Sequence, residues 1–243
     1  MITRIAVLLF VYLLSGCSPN DPQRIINRAI QAHGGKRFEH VDIEFDFRER
    51  HYTAHRDGGV YSYTRAFTDS TGNVKDILNN SGFQRSINGT RVTVPAERAN
   101  AFSNSINSVI YFALLPFGLN DPAVHKSFAG ETVLKNKKYY LIRITFDEEG
   151  GGKDHEDEFL YWINQETHRV DYLAYNYTTD GGGVRFRQAI NPRMMDGILF
   201  QDYINYQADK DVPLEKLQEL FEKNQLQELS TITLENISVK KLK

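Results

Sequence analysis

The sequence predicts a mainly β protein of the α+β class, with one large antiparallel sheet and about three helices. Apolar and polar residues alternate in many segments beyond residue 40, as in strands that bury one face and expose the other. Tyr and Phe, which favour strands, occur 13 and 15 times in 243 residues. Three segments have apolar residues at helical spacing, and they do not alternate with strands as βαβ units would.

The N-terminal segment has the features of a secretory signal. One cation, Arg4, precedes an apolar run over residues 5–14, which is too short to span a bilayer because a crossing takes about 20 residues. The run leads into Leu14-Ser15-Gly16-Cys17, which resembles a bacterial lipobox. The resemblance implies cleavage before Cys17, transfer of a diacylglyceryl group to its thiol, and acylation of the new amine, for example with palmitate.

These features predict a signal peptide at 1–16, a lipidated tether at 17–20 and one domain over 21–243. We expect the mature protein to be anchored in the bacterial cell envelope, since two or more acyl chains hold a protein on a membrane stably. Ser18 follows the cysteine, and the absence of Asp at that position favours the outer membrane by the same resemblance. The leaflet and the oligomeric state stay open.

The composition excludes several classes of partner. The chain has 29 Lys and Arg against 31 Asp and Glu, so its net charge of −2 gives no reason to expect a nucleic-acid ligand. The lack of a basic patch argues against binding driven by anionic lipid head groups. Cys17 is the only cysteine, so its acylation excludes both a disulfide and a cysteine nucleophile.

The first part of the chain predicts one helix followed by strands. Asp21-Pro22 is typical of a helix start, apolar residues recur at helical spacing up to His33, and Gly34-Gly35 ends the helix. Alternation from residue 41 to 48 predicts a strand that continues through Ala54. Turns at 57–59 and 88–89 separate further strands at 61–65, 74–78, 83–87 and 91–94.

The second part predicts two more helices around a meander of strands. A helix should start at Pro95, and a dense apolar run follows at 111–117. This stretch is either a core helix with a buried exit or a lid over an apolar cavity. Pro213 begins a third helix, and alternation over 231–239 predicts a strand that closes the sheet. The meander strands fit residues 138–146, 156–163, 170–177, 184–189 and 198–206.

Two Gly-Gly-Gly loops, at 150–152 and 181–183, should lie at the same end of the meander, because alternate loops of antiparallel strands do. The first loop is rich in acidic residues, and calcium takes six to eight oxygen ligands. Its spacing does not match an EF-hand, and an exposed hairpin tip is the simpler interpretation. No other cofactor is expected, and the weak metal candidates are Asp147, Glu149, Asp154, His155 and Asp180.

The sequence contains none of the catalytic signatures that we sought. Neither His-Glu-x-x-His nor Gly-x-Ser-x-Gly occurs. Paired carboxylates of the glycosidase kind depend on the fold rather than on spacing, so they stay open, but no pair stands out. We therefore predict no catalytic residues and favour a protein that is not an enzyme.

The segment 159–170, Phe-Leu-Tyr-Trp-Ile-Asn-Gln-Glu-Thr-His-Arg-Val, resembles a strand and turn seen widely in the lipoprotein-localisation carriers, the LolA/LolB-like superfamily. The whole chain is more similar to a family of uncharacterised bacterial lipoproteins that share Pro-Phe-Gly-Leu-Asn-Asp-Pro, here residues 116–122, and the Gly-Gly-Gly segments. The carrier resemblance implies a half-open barrel whose concave face holds acyl chains beneath a helical lid. The acidic loops depart from that pattern.

The resemblance implies a membrane-anchored protein that binds a lipid, the acyl chains of a lipoprotein or another amphipathic ligand in an apolar cavity. The strand 159–163 is apolar on both faces, so one face can meet helices while the other lines a cavity. One alternative is a non-catalytic envelope scaffold with a filled core, and another is a metal-dependent hydrolase at the acidic loops. The predicted cavity-lining residues are Phe102, Ile106, Phe112, Phe117, Leu160 and Trp162.

Overall fold

The computed structural model describes residues 20–149, 156–178 and 181–242. Within these residues the chain forms two seven-stranded antiparallel sheets and three α-helices, and neither sheet closes into a barrel. The expected fold class, mainly β and antiparallel with about three helices, is confirmed. The predicted signal peptide and the lipidation site Cys17 lie outside the described residues.

The helices are α1 (Pro22–His33), α2 (Ala96–Ala113) and α3 (Leu217–Glu222). The first sheet consists of β1 (His40–Phe47), β2 (Arg50–Asp57), β3 (Val60–Asp69), β4 (Gly72–Asn79), β5 (Gly82–Ile87), β6 (Thr90–Val92) and β14 (Glu235–Lys241). The second sheet consists of β7 (Val124–Leu134), β8 (Lys137–Phe146), β9 (Phe159–Asn164), β10 (Val170–Tyr177), β11 (Gly183–Met195), β12 (Ile198–Ala208) and β13 (Gln227–Ile232). The strand orders are β14-β1-β2-β3-β4-β5-β6 and β13-β12-β11-β10-β9-β8-β7.

Helix α1 forms as its sequence predicts. The Asp21 side chain accepts a hydrogen bond of 3.1 Å from the Gln23 amide, and Pro22 occupies the first turn, where its missing N–H costs nothing. Gly34 ends the helix with a φ of 143°, a conformation that side chains rarely adopt. The buried face of α1 packs on the second sheet and consists of Ile25, Ile26, Ala29, Ile30 and His33.

The first sheet shows one error in the predicted strands. The strand that was expected to continue through Ala54 instead reverses at Arg48-Glu49, where φ is 49° and 59°. A tight hairpin with a two-residue turn requires positive φ at both central residues, and these positions are usually occupied by Asn or Gly. The same geometry at Asn88-Gly89 joins β5 to β6 and confirms the predicted hairpin.

The predicted single sheet is divided into two. The segment 231–239 does not form one strand, since it breaks after Ile232 and its two parts belong to different sheets. Strand β14 pairs with β1 and so returns the chain end to the first sheet. Two further differences are the unpredicted strand β7 and the continuation of β11 through residues that were expected to form a loop.

Helix α2 lies where the two sheets approach each other. Ile106 and Ile110 are buried against the first sheet, whereas Tyr111 and Phe112 contact the second. The Tyr111 hydroxyl is 3.0 Å from the Tyr161 hydroxyl on β9, which ties the end of the helix to the second sheet. The helix therefore covers the space between the sheets, as the predicted lid would.

A third apolar cluster lies on the other face of the second sheet, beneath α3. Among the described residues, all three clusters are built from residues between Ile25 and Val239, so residues 18–243 contain these three clusters. No helix in the described part of the chain is both long and apolar enough to cross a bilayer.

Candidate ligand-binding site

A cavity of about 190 Å³ lies between the end of α2 and the strands β11, β12 and β13. Its apolar wall is formed by Val109, Phe112 and Ala113 of the helix together with Ile232 and Leu234. The end of β1 and the Arg48 turn form its rim. The cavity is thus roofed by the helix that the sequence suggested as a lid.

Strand periodicity places a row of polar side chains on the cavity floor. Alternate residues of β12 point to one face of the sheet, so Gln201, Tyr203 and Asn205 all line the cavity. Arg187 of β11 stands directly opposite Asn205 in the pairing of the two strands and lines the cavity as well. The floor therefore combines a cation with two amides, and the rest of the lining is aromatic and aliphatic apart from Ser108 and Arg48.

Arg187 is a buried cation that forms no ion pair with a described acidic residue. Only 8% of the residue is exposed, and its guanidinium carbon lies 3.7 Å from the centre of the Phe112 ring. One Nη donates a hydrogen bond of 2.8 Å to the Tyr175 hydroxyl, while Nε is buried and has no hydrogen-bond partner in the part of the chain that the structure describes. Among the described residues, the arginines that form ion pairs are others, namely Arg65, Arg85, Arg143 and Arg193.

The oxygens of the two amides also lack hydrogen-bond partners among the described residues. Gln201 Oε1 and Asn205 Oδ1 are buried, and no donor from residues 20–149, 156–178 or 181–242 reaches either oxygen. A buried polar group without a hydrogen bond costs about 1–3 kcal/mol. Three such groups on one cavity floor therefore mark a place where a polar ligand atom would be stabilised.

Burial and charge set the protonation of the neighbouring phenol. Burial raises the pKa of Tyr203 to about 12, and the positive charge of Arg187 opposes that rise. Burial likewise raises the pKa of Tyr161 well above its ordinary value. Both phenols are neutral at physiological pH, so they add hydrogen-bonding capacity to this region without adding negative charge.

The structure places the six predicted lining residues in different surroundings, and Phe112 is the one that lines this cavity. Ile106 is fully buried against the first sheet. The Phe102 ring lies 3.7 Å below the guanidinium carbon of Arg85, away from the cavity floor. Phe117 packs on Phe38, with ring centres 5.0 Å apart.

Leu160 and Trp162 lie on the opposite face of the second sheet. They belong to the cluster beneath α3, and the Trp162 indole N–H donates a 2.8 Å hydrogen bond to Gln218. The other face of β9, which carries Phe159 and Tyr161, is the one turned toward α1 and the end of α2. The strand is two-sided as predicted, but Leu160 and Trp162 do not line this cavity.

The acidic loops stay a predicted metal site rather than an observed one. The strand ends that flank the two glycine-rich loops lie at the same end of the strands of the second sheet, as predicted from strand order. Asp147 accepts a 2.6 Å hydrogen bond from exposed His125, and Glu149 is exposed. Asp154, His155 and Asp180 lie outside the described residues. Across residues 20–149, 156–178 and 181–242, no three acidic, His or Cys side chains gather as metal ligands would.

Sequence reasoning missed the three polar residues of the cavity floor. A partial signal was nevertheless present, because Gln201 and Asn205 alternate with Tyr203 on one face of a strand that also contains the polar residues Asp202 and Gln207. Arg187 lies in a segment of β11 that also contains Arg185 and Gln188, so its sequence context did not single it out. A polar residue at an inward position of a buried strand is either paired or functional.

The fold and the cavity define an open, two-sheet protein with an amphipathic cavity beneath a helix. The chain belongs to a family of unknown function, DUF6503, whose model matches residues 3–236. The expected membership of an uncharacterised family is confirmed. No protein of curated function matches the sequence significantly.

Solved structures show similarity at the level of the fold. A DUF1329 family protein from Desulfovibrio piger has a TM-score of 0.51 at 12% identity, with 90% of this chain and 93% of that chain covered. The LolA superfamily protein NE2245 from Nitrosomonas europaea has a TM-score of 0.49 at 11% identity, with 91% and 93% covered. A putative outer membrane lipoprotein-sorting protein domain from Vibrio parahaemolyticus has a TM-score of 0.42 at 6% identity, with 76% and 86% covered.

Proposed function

We propose that this protein binds an amphipathic molecule in the cavity between α2 and strands β11–β13, and that it does so in the cell envelope, anchored through acylated Cys17. The observation that carries the proposal is the cavity itself, in which an apolar wall faces a floor whose buried polar atoms have no hydrogen-bond partner among the described residues. Apolar walls with a few converging polar groups are typical of small-molecule sites.

The volume of the cavity limits what it holds. A site of about 190 Å³ is somewhat larger than the engineered cavity of about 150 Å³ that takes up benzene. It is smaller than the roughly 300–1,000 Å³ of sites for drug-sized ligands. This supports a ligand with one short chain, or one end of a longer chain, rather than several acyl chains at once.

The envelope location is proposed from the sequence. The lipobox-like segment that ends at Cys17 supports lipid anchoring, and Ser18 after it supports the outer membrane. An anchored protein with an amphipathic cavity is suited to capture a molecule that leaves a membrane, because the anchor keeps the cavity close to the lipid surface.

The test is native mass spectrometry of residues 18–243, purified from a bacterial envelope without detergent. We expect a bound small molecule that organic extraction releases. Ala113 lines the cavity, so Ala113→Phe fills it and should abolish the bound mass. Ala101→Phe makes the same change on an exposed position of the same helix and should keep it.

Two results would refute the proposal. One is a clean unbound mass that persists after incubation with envelope lipids. The other is a bound mass that survives Ala113→Phe while that variant remains folded, because the ligand would then occupy a different place. The scaffold interpretation, in which the protein's own side chains fill its core, predicts the first of these results.

A further inference from the structure

We infer that the ligand is a single-chain amphiphile with an oxyanion head group, and that Arg187, Gln201 and Asn205 form the subsite for that head group. The inference rests on the proposed function and adds the chemistry of the ligand. It is carried by the positions of three polar side chains, each with a buried polar atom, on one face of the paired strands β11 and β12.

The first step is the unbalanced charge of Arg187. Burial of a cation is costly unless a counter-charge or hydrogen bonds compensate. The Phe112 ring at 3.7 Å and the Tyr175 ring at 5.2 Å give partial compensation through cation–π contact. No described carboxylate pairs with the guanidinium, so an anionic ligand would supply the charge that the protein does not.

The second step is the direction in which Arg187 is free to donate. Tyr175 accepts from one Nη, and no described residue accepts from the buried Nε–H. A guanidinium presents parallel N–H groups in a planar fork that matches the two oxygens of a carboxylate or phosphate. Phe112 and Tyr175 already hold the guanidinium group of Arg187 in place, so ligand binding would not have to order this side chain.

The third step is the charge of the whole cavity. Arg187 lies on the floor and Arg48 at the exposed rim, whereas neither Asp nor Glu is among the cavity-lining residues. An anion therefore meets two positive charges and no negative one. A cationic head group would be repelled by both arginines, and a neutral one would leave the charge of Arg187 uncompensated.

The fourth step concerns the amides. Asn205 stands opposite Arg187 across the strand pair, and Gln201 lies four residues away on the same face of β12. Each amide can turn either its oxygen or its NH₂ group to a ligand by rotation about its last bond. The two amides can thus donate to a second oxygen of the head group or accept from a hydroxyl that it carries.

The test compares three probes of equal chain length, namely octanoate, octyl phosphate and 1-octanol, by isothermal titration of residues 18–243. We expect both anions to bind more tightly than the alcohol, by roughly tenfold to a hundredfold, because hydrogen bonds to a charged group are worth that much. The order of the two anions then distinguishes a carboxylate head group from a phosphate one.

Two matched variants locate the effect. Arg187→Gln should lower the affinity for both anions to that for octanol. Arg185→Gln should leave it unchanged. Arg185 occupies the same strand and the same face, and it bonds Tyr177 as Arg187 bonds Tyr175, but it does not line the cavity.

Each outcome decides a separate claim. Equal affinity for octanoate and octanol in the unsubstituted protein overturns the inference and leaves the proposed function intact, and this comparison holds even if Arg187→Gln fails to fold. Unchanged anion binding in folded Arg187→Gln also overturns it. If none of the three probes binds, both the inference and the proposed function fall.

Discussion

His33 gives a prediction whose size follows from its environment. The imidazole lies at the end of α1 with 1% of the residue exposed, and its Nε2 accepts a 3.2 Å hydrogen bond from the Val170 amide at the start of β10. Burial, and secondarily the positive charge of Arg169, lowers the pKa of His33 from 6.5 to about 3. The folded protein therefore keeps this side chain neutral at pH values where the unfolded chain protonates it.

The sign and the magnitude follow from proton linkage. Since the folded-state pKa is depressed, the stabilisation is complete above the unfolded value of 6.5 and is lost as the pH falls toward about 3. At pH 5 the loss is about 2 kcal/mol, at 1.36 kcal/mol per pH unit below the unfolded pKa. The full loss, reached near pH 3, is about 5 kcal/mol.

The assay is urea unfolding at pH 7, 6 and 5 on the unsubstituted protein and on His33→Gln. The glutamine keeps a hydrogen-bond acceptor but does not titrate. Between pH 7 and pH 5, the free energy of unfolding of His33→Gln should therefore fall by about 2 kcal/mol less than that of the unsubstituted protein. His40→Gln removes a histidine that is half exposed and should keep the steeper pH dependence. If His33→Gln and the unsubstituted protein lose stability in parallel, the assigned role of His33 is refuted.

Two further predictions concern stability away from the cavity. Asp76 is fully buried and accepts hydrogen bonds from Arg65 and Arg85, so Asp76→Ala should cost about 3–5 kcal/mol in urea unfolding, whereas exposed Glu44→Ala should cost less than about 0.5 kcal/mol. Trp162→Phe should cost about 1–3 kcal/mol, because it removes the hydrogen bond to half-buried Gln218 and part of a buried ring, while octanoate affinity stays unchanged. A loss of affinity in that variant would contradict the placement of Trp162 on the far face of the second sheet.

Local signals in the sequence were sufficient for most individual elements. The Asp21-Pro22 start and the Gly34 end of α1, the Asn88-Gly89 hairpin and the alternating strands depend on contacts within a few residues, which the sequence shows directly. The hairpin at Arg48-Glu49 was missed because neither residue is one that a turn with positive φ usually selects.

The division into two sheets could not be read from alternation alone. The break after Ile232 is set by tertiary pairing, since β13 adds to β12 whereas β14 adds to β1, nearly two hundred residues earlier in the chain. A period of two shows that a segment is a strand, but it does not show which strand it joins.

The same limit explains why two of the predicted cavity-lining residues lie on the other face of the second sheet. Leu160 and Trp162 were chosen because β9 is apolar on both faces, and the sequence does not say which face meets a helix and which meets a cavity. The structure places α3 over that face and the end of α2 over the other. Phe112 was chosen because the run at 111–117 has more apolar surface than one helix face needs, which indicates that it makes a second contact.

The most direct test of the central claim is NMR of methyl-labelled residues 18–243 titrated with octanoate and, separately, with 1-octanol. Binding in the cavity should shift the methyl signals of Val109, Ile232 and Leu234, which line it. The signals of Leu160 and Leu217, on the far face of the second sheet, should stay in place. Shifts confined to the far face, or no shift with either probe at saturating concentration, would contradict the account.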